Sequence, residues 1–488
     1  MPRQVNAEAA AGEAPRLAPP PPDLMADRPG WLDLFFPKGG SAMIKEISAV
    51  AAVGLDQALP RQARVVKSKW LRDLLTFAMV FGPGLIVMEA DNDAGAVSTY
   101  VQAGAQYGLS LLWVLFTLLP ITYFIQEMVV RLGIATGQGH AAMIYQRFGK
   151  WWGRFSLFDL QLVNFLTLVT EFAAIALALD KLGIPQYLGV PLAGIGLMAI
   201  VLSGSYLRWE RIVVILCLLD IAWLFIAIKV GPSAGEVARH GLIPSMPEGG
   251  LTTDLVFLVI AIVGTTIAPW QLFFQQSCVA DKRLRFSDLK WGRLDTFIGA
   301  VFTIVVAACM LLVGNYALTH GVQFSDPAQM AADMAGFSGE AVRYGILLLM
   351  INAAMLGTTA VSLSSAWAYG EVKGWPHSLH KKLKDAPGFY AVYVGCIAAA
   401  AAVVLIPQAP LQLIIVSVQV LAGIMLPAAI IFLQLLLNDK ELMGAYVNKP
   451  WNNWLNWTII ALLFALSLVL AAQVLVPNLF PTTPVAGA

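Results

Sequence analysis

Residues 85–95 read Leu85-Ile86-Val87-Met88-Glu89-Ala90-Asp91-Asn92-Asp93-Ala94-Gly95. They lie near the middle of an apolar run, 73–101, that is long enough to cross a membrane, for which roughly 20 predominantly apolar residues suffice. A carboxylate at the centre of a bilayer costs at least about 2.5–3.5 kcal/mol on insertion scales. Three acids within five positions cannot all face lipid. Asn92 and Gly95 also favour a departure from helical geometry. The stretch therefore predicts a membrane helix made in two pieces, with an unwound acidic segment between them.

A second run, 252–279, has the same character. It contains Gly264-Thr265-Thr266-Ile267-Ala268-Pro269-Trp270-Gln271. Pro269 removes one backbone hydrogen bond and clashes with the preceding turn, and Thr265, Thr266 and Gln271 add polarity at the same depth. Unwound backbone at membrane depth is tolerated only where it faces protein or a water-filled cavity. Interrupted segments at corresponding positions of two halves point to an ion site near the bilayer midplane.

The rest of the chain supplies the frame. Hydrophobic residues make up 58% of it and charged residues 12%, against about 45–50% and 25% in soluble domains. Mean hydropathy is +0.72. Eleven apolar segments are expected to span: 73–101, 108–130, 157–181, 186–204, 211–230, 252–279, 296–318, 342–371, 389–406, 410–437 and 454–476. The two interruptions fall in the first and the sixth. That spacing predicts an all-α integral membrane protein of eleven transmembrane helices. Two inverted five-helix repeats, about 70–230 and 250–437, are followed by helix eleven, within a transporter domain of 66–480.

Basic residues give the orientation, because cytoplasmic loops are enriched in Lys and Arg. With the N-terminus inside, 22 of the 31 Lys and Arg residues fall in cytoplasmic loops, five in the N-terminal tail and four outside. Residues 1–65 carry the run Pro19 to Pro22 and no long apolar segment, so a largely disordered cytoplasmic tail is expected. Within it 43–59 has the pattern of a short amphipathic helix. No apolar stretch follows the basic residues of the tail, so it does not read as a secretory signal.

Several chemistries are excluded. Net charge is +1, so no basic field points to nucleic acid. Cys217, Cys278, Cys309 and Cys396 form no CxxC pair, which argues against a thiolate site or disulfide framework. The five histidines are scattered outside helix centres. No nucleophile elbow, Walker or zinc-protease pattern occurs in a suitable context, so no enzyme activity is expected. Glu127 and Arg131 are spaced to pair on one helix face. Asp220, on the fifth span, has no evident partner.

Blocks along residues 70–476 carry a resemblance. They are Gly82-Pro83-Gly84, Asp93-Ala94-Gly95-Ala96, Gln102-Ala103-Gly104, Arg131-Leu132-Gly133, Thr136-Gly137, Glu171, Pro269, Ser417-Val418-Gln419, Leu426-Pro427, Met443-Gly444, Val447-Asn448 and Trp451. In this order and spacing they resemble the natural resistance-associated macrophage protein (Nramp) family of divalent-metal transporters. The departures are specific. The family's Asp-Pro-Gly-Asn becomes Asp93-Ala94-Gly95-Ala96, so the asparagine is lost. Its Met-Pro-His becomes Ala268-Pro269-Trp270, so thioether and imidazole are both lost. An acidic residue three positions before Glu171 is replaced by Leu168. This set is similar to the Nramp-related magnesium transporter branch.

The resemblance implies a transporter that moves a divalent cation by alternating access, with the metal as cargo and no cofactor. Asp93 is implied as the direct or water-bridged ligand, with carbonyls near Ala90 and Thr265 facing the ion. Gln271 and Gln419 offer amide oxygens, and Ala96 and Ala268 leave room. Glu89, Asp91 and Glu171 add negative charge, and at least one of the acids on the first break needs a structural partner. Soft sulfur ligands favour transition metals, whereas oxygen suits Mg²⁺, Ca²⁺ and Mn²⁺. Mg²⁺ also keeps several waters beside one or two carboxylates. The expectation is therefore Mg²⁺, with Mn²⁺ also accepted and no proton coupling. Its alternatives are a proton-coupled Mn²⁺/Fe²⁺ importer and an amino-acid/cation symporter on the same fold. The expected partners are the divalent ion and the lipid bilayer, in a bacterial cell membrane, and a monomer is compatible with both.

Overall fold

The computed structural model of the protein describes residues 69–475 apart from 203, 248, 249 and 408. The N-terminal tail and the helix expected at 43–59 lie outside the described residues. The chain divides into two units after Ala78. The described part of the first unit is the beginning of α1 (Lys69–Val80). The second unit, from Met79 onward, holds all the helices after α1.

Among the described residues every regular element is a helix. The first acidic interruption separates α2 (Pro83–Glu89) from α3 (Ala94–Tyr107). Then come α4 (Leu112–Thr136), α5 (His140–Lys181) and α6 (Gln186–Leu202). The fifth expected span is itself divided at Asp220 into α7 (Tyr206–Leu219) and α8 (Ile221–Val230). A short α9 (Ala234–Leu242) precedes α10 (Thr253–Thr266) and α11 (Pro269–Asp281), the two pieces of the sixth span. The remainder is α12 (Leu289–Thr319), α13 (Pro327–Ser338), α14 (Glu340–Lys373), α15 (Pro387–Val404), α16 (Leu411–Leu437), α17 (Lys440–Met443) and α18 (Pro450–Leu475).

Eight segments are long and apolar enough to cross a membrane, with α7–α8 and α10–α11 each taken as one. Three expected spans fall short of that test yet coincide with helices. The first is cut by the acidic segment, the fourth is α6 with 17 residues, and the last is α18 with 26. Helices α9 and α13 were not anticipated. Each starts at a side-chain cap, Ser233 with Glu236 for α9 and Asp326 for α13, which is a local signal outside any apolar run.

Small residues let the interrupted helices approach their neighbours, as is common where helices pack in lipid. Helix α3 lies against α12, where a Cβ on Gly104 would come within 1.9 Å of the Leu311 carbonyl oxygen. Helix α10 lies against α16, where a Cβ on Gly264 would come within 2.1 Å of the Gln419 carbonyl oxygen. Helix α14 runs along α5. The two breaks are thus held inside a shell of continuous helices.

The entry to α2 is anchored by one carboxylate. Asp295 of α12 accepts from the backbone N–H groups of Gly84 at 2.7 Å, Leu85 at 3.2 Å and Gly82 at 3.3 Å. These are among the donors that the first turn of a helix leaves without intrahelical partners. Pro83, with no N–H to satisfy, fits the first helical turn. Nearby, the Lys282 ammonium donates to Glu210 at 2.7 Å and to the Phe81 carbonyl at 2.8 Å. The expected Glu127–Arg131 pair forms at 3.4 Å. It belongs to a wider junction: Arg293 of α12 donates to Glu127 at 2.7 and 2.9 Å. Arg131 also donates to the Tyr446 carbonyl and to Asn448, each at 2.7 Å.

Replacing Asp295 with Ala should leave three buried N–H groups at the start of α2 without an acceptor. An unsatisfied buried donor costs about 1–3 kcal/mol, so Asp295→Ala should lower Tm in detergent by several degrees and Asp295→Asn by less. Equal Tm values for parent and Asp295→Ala would show that this carboxylate does not hold the half-helix.

Candidate functional site

The two interruptions are built by the same device. In a continuous helix the carbonyl of Ala90 would accept from the N–H of Ala94. Here that N–H donates instead to Oε2 of Glu171 on α5, at 3.1 Å. The carbonyl of Thr265 would accept from residue 269, but Pro269 has no N–H to give. One break is made by a competing carboxylate and the other by a missing donor. Each frees the carbonyl that was expected to face an ion.

The three acids of the first break have different surroundings. Asp93 caps α3, its Oδ1 accepting from the Ala96 N–H at 2.9 Å. Glu89 turns toward α12, accepting from Asn92 Nδ2 at 3.1 Å and from the Thr303 hydroxyl at 3.3 Å. Asn92 also donates to the Thr303 carbonyl at 3.1 Å. Glu89 and Asp93 therefore both have structural partners. Asp91 is 1% exposed, and neither of its carboxylate oxygens has a hydrogen-bond partner. Its near neighbours include Asp93 and Gln271.

Glu171 lies beside Asp93. A Cβ on Gly357 of α14 would come within 2.7 Å of the Asp93 Cβ and 2.9 Å of the Glu171 carboxyl, so the absence of a side chain there lets the two acids share one pocket. The second oxygen of Glu171 has no partner. Glu171 is thus one of two neighbouring acids.

Two amides lie close to the breaks. A Cβ on Gly95 would collide with the Gln419 side chain, which places that amide directly against the first turn of α3, its Nε2 unpartnered. Gln271 accepts at Oε1 from Nε2 of Gln126 on α4, at 2.9 Å. This leaves Gln271 Nε2 and Gln126 Oε1 without partners. Reversing both amides preserves that bond and turns the oxygen of Gln271 to the other side, since the two ends of an amide are interchangeable in such a network. Thr265 is buried with an unpartnered hydroxyl. Ala96 and Ala268 are 0% and 4% exposed and bring no donor of their own. Tyr100 and Thr266, 2.7 Å apart, join α3 to α10.

The site is acidic and without a protein counter-charge. None of the ion pairs among the described residues includes Glu89, Asp91, Asp93 or Glu171. Buried charges are normally paired or bound to a metal. Among the described residues no group of three or more His, Cys, Asp or Glu side chains is arranged to hold a metal ion. What the site offers is carboxylate, carbonyl, amide and hydroxyl oxygen; Trp270, next to Pro269 in sequence, is fully buried. Sequence reasoning missed Gln126 and Gly357. Gln126 left a trace as a polar residue inside an apolar run, whereas Gly357 left none.

The comparisons with known proteins agree with this architecture. The profile described as "Natural resistance-associated macrophage protein-like" matches residues 84–473. A divalent metal cation transporter MntH of Staphylococcus saprophyticus is 26% identical over 432 residues, covering 83% of this chain and 93% of its own. The protein of the same name from Staphylococcus aureus is 26% identical over 424 residues, covering 81% and 91%. Among solved structures, a manganese transporter of Eremococcus coleocola in complex with an aromatic bis-isothiourea compound superposes with a TM-score of 0.66. It is 21% identical and covers 86% of this chain and 90% of that one. At that identity the likeness speaks for the fold. With a family profile that spans most of its length, the chain belongs to the natural resistance-associated macrophage protein family.

Proposed function

We propose that this protein carries divalent metal cations across a membrane by alternating access, with Mg²⁺ as its principal cargo and Mn²⁺ also accepted. Family membership supports divalent-cation transport, and the names of the relatives point the same way. The observation that carries the Mg²⁺ reading is the donor set at the two breaks. Asp93, the freed carbonyls of Ala90 and Thr265, and the amides of Gln271 and Gln419 are all oxygen donors or can turn to present one. Neither thioether nor imidazole is among them. Oxygen suits hard cations, and few direct ligands in a roomy pocket suit an ion that keeps most of its water.

In this reading Asp93 is the anchoring ligand, with Asp91 and Glu171 supplying charge that draws a dication into the pocket. Ala96 and Ala268 supply the room a hydrated ion needs. The two five-helix repeats rock about this site, and the N-terminus faces the cytoplasm. Transport is uncoupled from protons: Trp270 and Leu168 stand where relatives place titratable groups, and neither can carry a proton. The acid beside Glu171 is Asp93 itself, which in this reading is held by the cation and is not free to pass a proton on. Membrane potential then drives the ion, at about 2.3 kcal/mol per charge per 100 mV.

Asp93→Ala should insert and fold yet lose Mg²⁺ uptake into proteoliposomes by at least tenfold. Uptake at the parent rate would place the site elsewhere. Ala268→Met introduces a soft ligand, so Cd²⁺ and Mn²⁺ should gain on Mg²⁺ in competition assays. An unchanged competition profile in a folded variant would mean that Ala268 does not line the path. Vesicles loaded with a pH-sensitive dye should show no acidification during verified Mg²⁺ entry. Acidification that saturates together with metal uptake would return the protein to the proton-coupled mode.

A further inference from the structure

Behind the first break lies a second group of buried oxygen ligands. Asp220, at the division between α7 and α8, is fully buried, and its carboxyl lies against that of Glu89. Asn352 of α14 donates to Asp220 Oδ1 at 2.9 Å and to the Leu216 carbonyl at 3.0 Å. Asn92 and Thr303 contact Glu89 from the other side. Four helices and the unwound segment thus bring two carboxyls, two amides and a hydroxyl together. Three of these residues, Asp220, Asn92 and Asn352, each keep one side-chain oxygen with no partner, and all three are more than nine-tenths buried.

We propose that Glu89, Asp220, Asn352, Asn92 and Thr303 form a second divalent-cation site, distinct from the one at Asp93. The proposal rests on the reading of the protein as a divalent-cation transporter. Charge is the first argument. The two carboxyls carry no Lys or Arg partner among the ion pairs of the described residues. Glu89 ends α2, a helix terminus that is partially negative and favours a cation, whereas Asp220 stands between the end of α7 and the start of α8, whose opposite partial charges offset each other.

Spacing is the second argument. In octahedral Mg²⁺ coordination, with bonds of about 2.0–2.1 Å, neighbouring ligand oxygens stand roughly 3 Å apart. The contacts Asn352–Asp220 at 2.9 Å, Asn92–Glu89 at 3.1 Å and Thr303–Glu89 at 3.3 Å have that spacing. Rotating the two amides would put oxygen where nitrogen now stands, and it would give up the bonds from Asn352 to the Leu216 carbonyl and from Asn92 to the Thr303 carbonyl, which the bound cation has to offset. Donor number is the third argument. One proton shared between the carboxyls would leave the amide oxygens of Asn92 and Asn352 without a partner, whereas a cation takes them all. The site would hold the ion one step from Asp93, on the side of the break facing α7, α12 and α14.

Binding stoichiometry of the purified full-length chain tests this, with Mn²⁺ as the probe in equilibrium dialysis and Mg²⁺ as competitor. The parent should bind two Mn²⁺ per chain. Asp220→Asn and Asp93→Ala should each lose one, and the double variant both. If Asp93→Ala abolishes the single ion bound by the parent, the second site is overturned while the transport reading stands. If Asp220→Asn abolishes the single ion and Asp93→Ala keeps it, the second site stands and the central one fails. A parent that binds no Mn²⁺ and no Mg²⁺ overturns both. Asn352→Asp guards against a misfolded Asp220→Asn: by adding a carboxylate to the same cluster, it should make Mn²⁺ raise Tm by several degrees more than in the parent. An equal Mn²⁺-induced shift overturns the proposal.

Discussion

In hydrocarbon a backbone N–H or C=O without a partner costs several kcal/mol, and a helix can open there only if something else takes up the groups it releases. The bond from the Ala94 N–H to Glu171 does this for the first break. It satisfies the donor, frees the carbonyl of Ala90, and fixes where α3 begins. The same carboxyl then stands beside Asp93, in a pocket that exists because Gly357 has no side chain. Pro269 makes the second break by covalent structure and needs no competing acceptor. The site is therefore the by-product of two backbone interruptions, each stabilised by its own means and both enclosed by close-packed continuous helices.

Much of this was legible in the residues themselves. Glu89 to Gly95 cannot form an ordinary lipid-facing helix, and Pro269 cannot continue one. These two facts located both breaks, to within a residue or two of Ala90–Asp93 and Ile267–Ala268. The pairing of Glu127 with Arg131 followed from helical spacing. Long-range partners did not follow. That Asp295 holds the start of α2 from more than two hundred residues away depends on how α12 packs, which no local pattern encodes. Asp220 looked isolated because its neighbours, Glu89 and Asn352, lie on other helices. That Glu171 stands beside Asp93 was hidden for the same reason. Helices α9 and α13 escaped because caps, not apolar periodicity, define them.

The electrostatic pattern separates the interior from the rim. At the rim, carboxylates and cations meet in pairs, as in Glu127 with Arg293 and Glu210 with Lys282. In the interior, Glu89, Asp91, Asp93, Glu171 and Asp220 are all buried and have neutral or acidic neighbours. A protein that stored five ionised groups in this way would be strongly destabilised. Cations supplied from outside the chain, or protons, must therefore share the interior with them. That requirement is consistent with the divalent-cation transport of the family to which the chain belongs. In the proposed reading the choice among cations comes from the donor atoms, which are oxygen or amides that can turn to present it.

The central claim, that this oxygen-only site selects a hard hydrated dication, is tested most directly by uptake into proteoliposomes containing the purified protein. Mg²⁺, Mn²⁺, Ca²⁺ and Cd²⁺ would be supplied one at a time and then in competition, at a fixed inside-negative potential. The account predicts saturable Mg²⁺ entry that Mn²⁺ competes for and Cd²⁺ barely inhibits. Tight Cd²⁺ and Mn²⁺ uptake with no Mg²⁺ entry would contradict it.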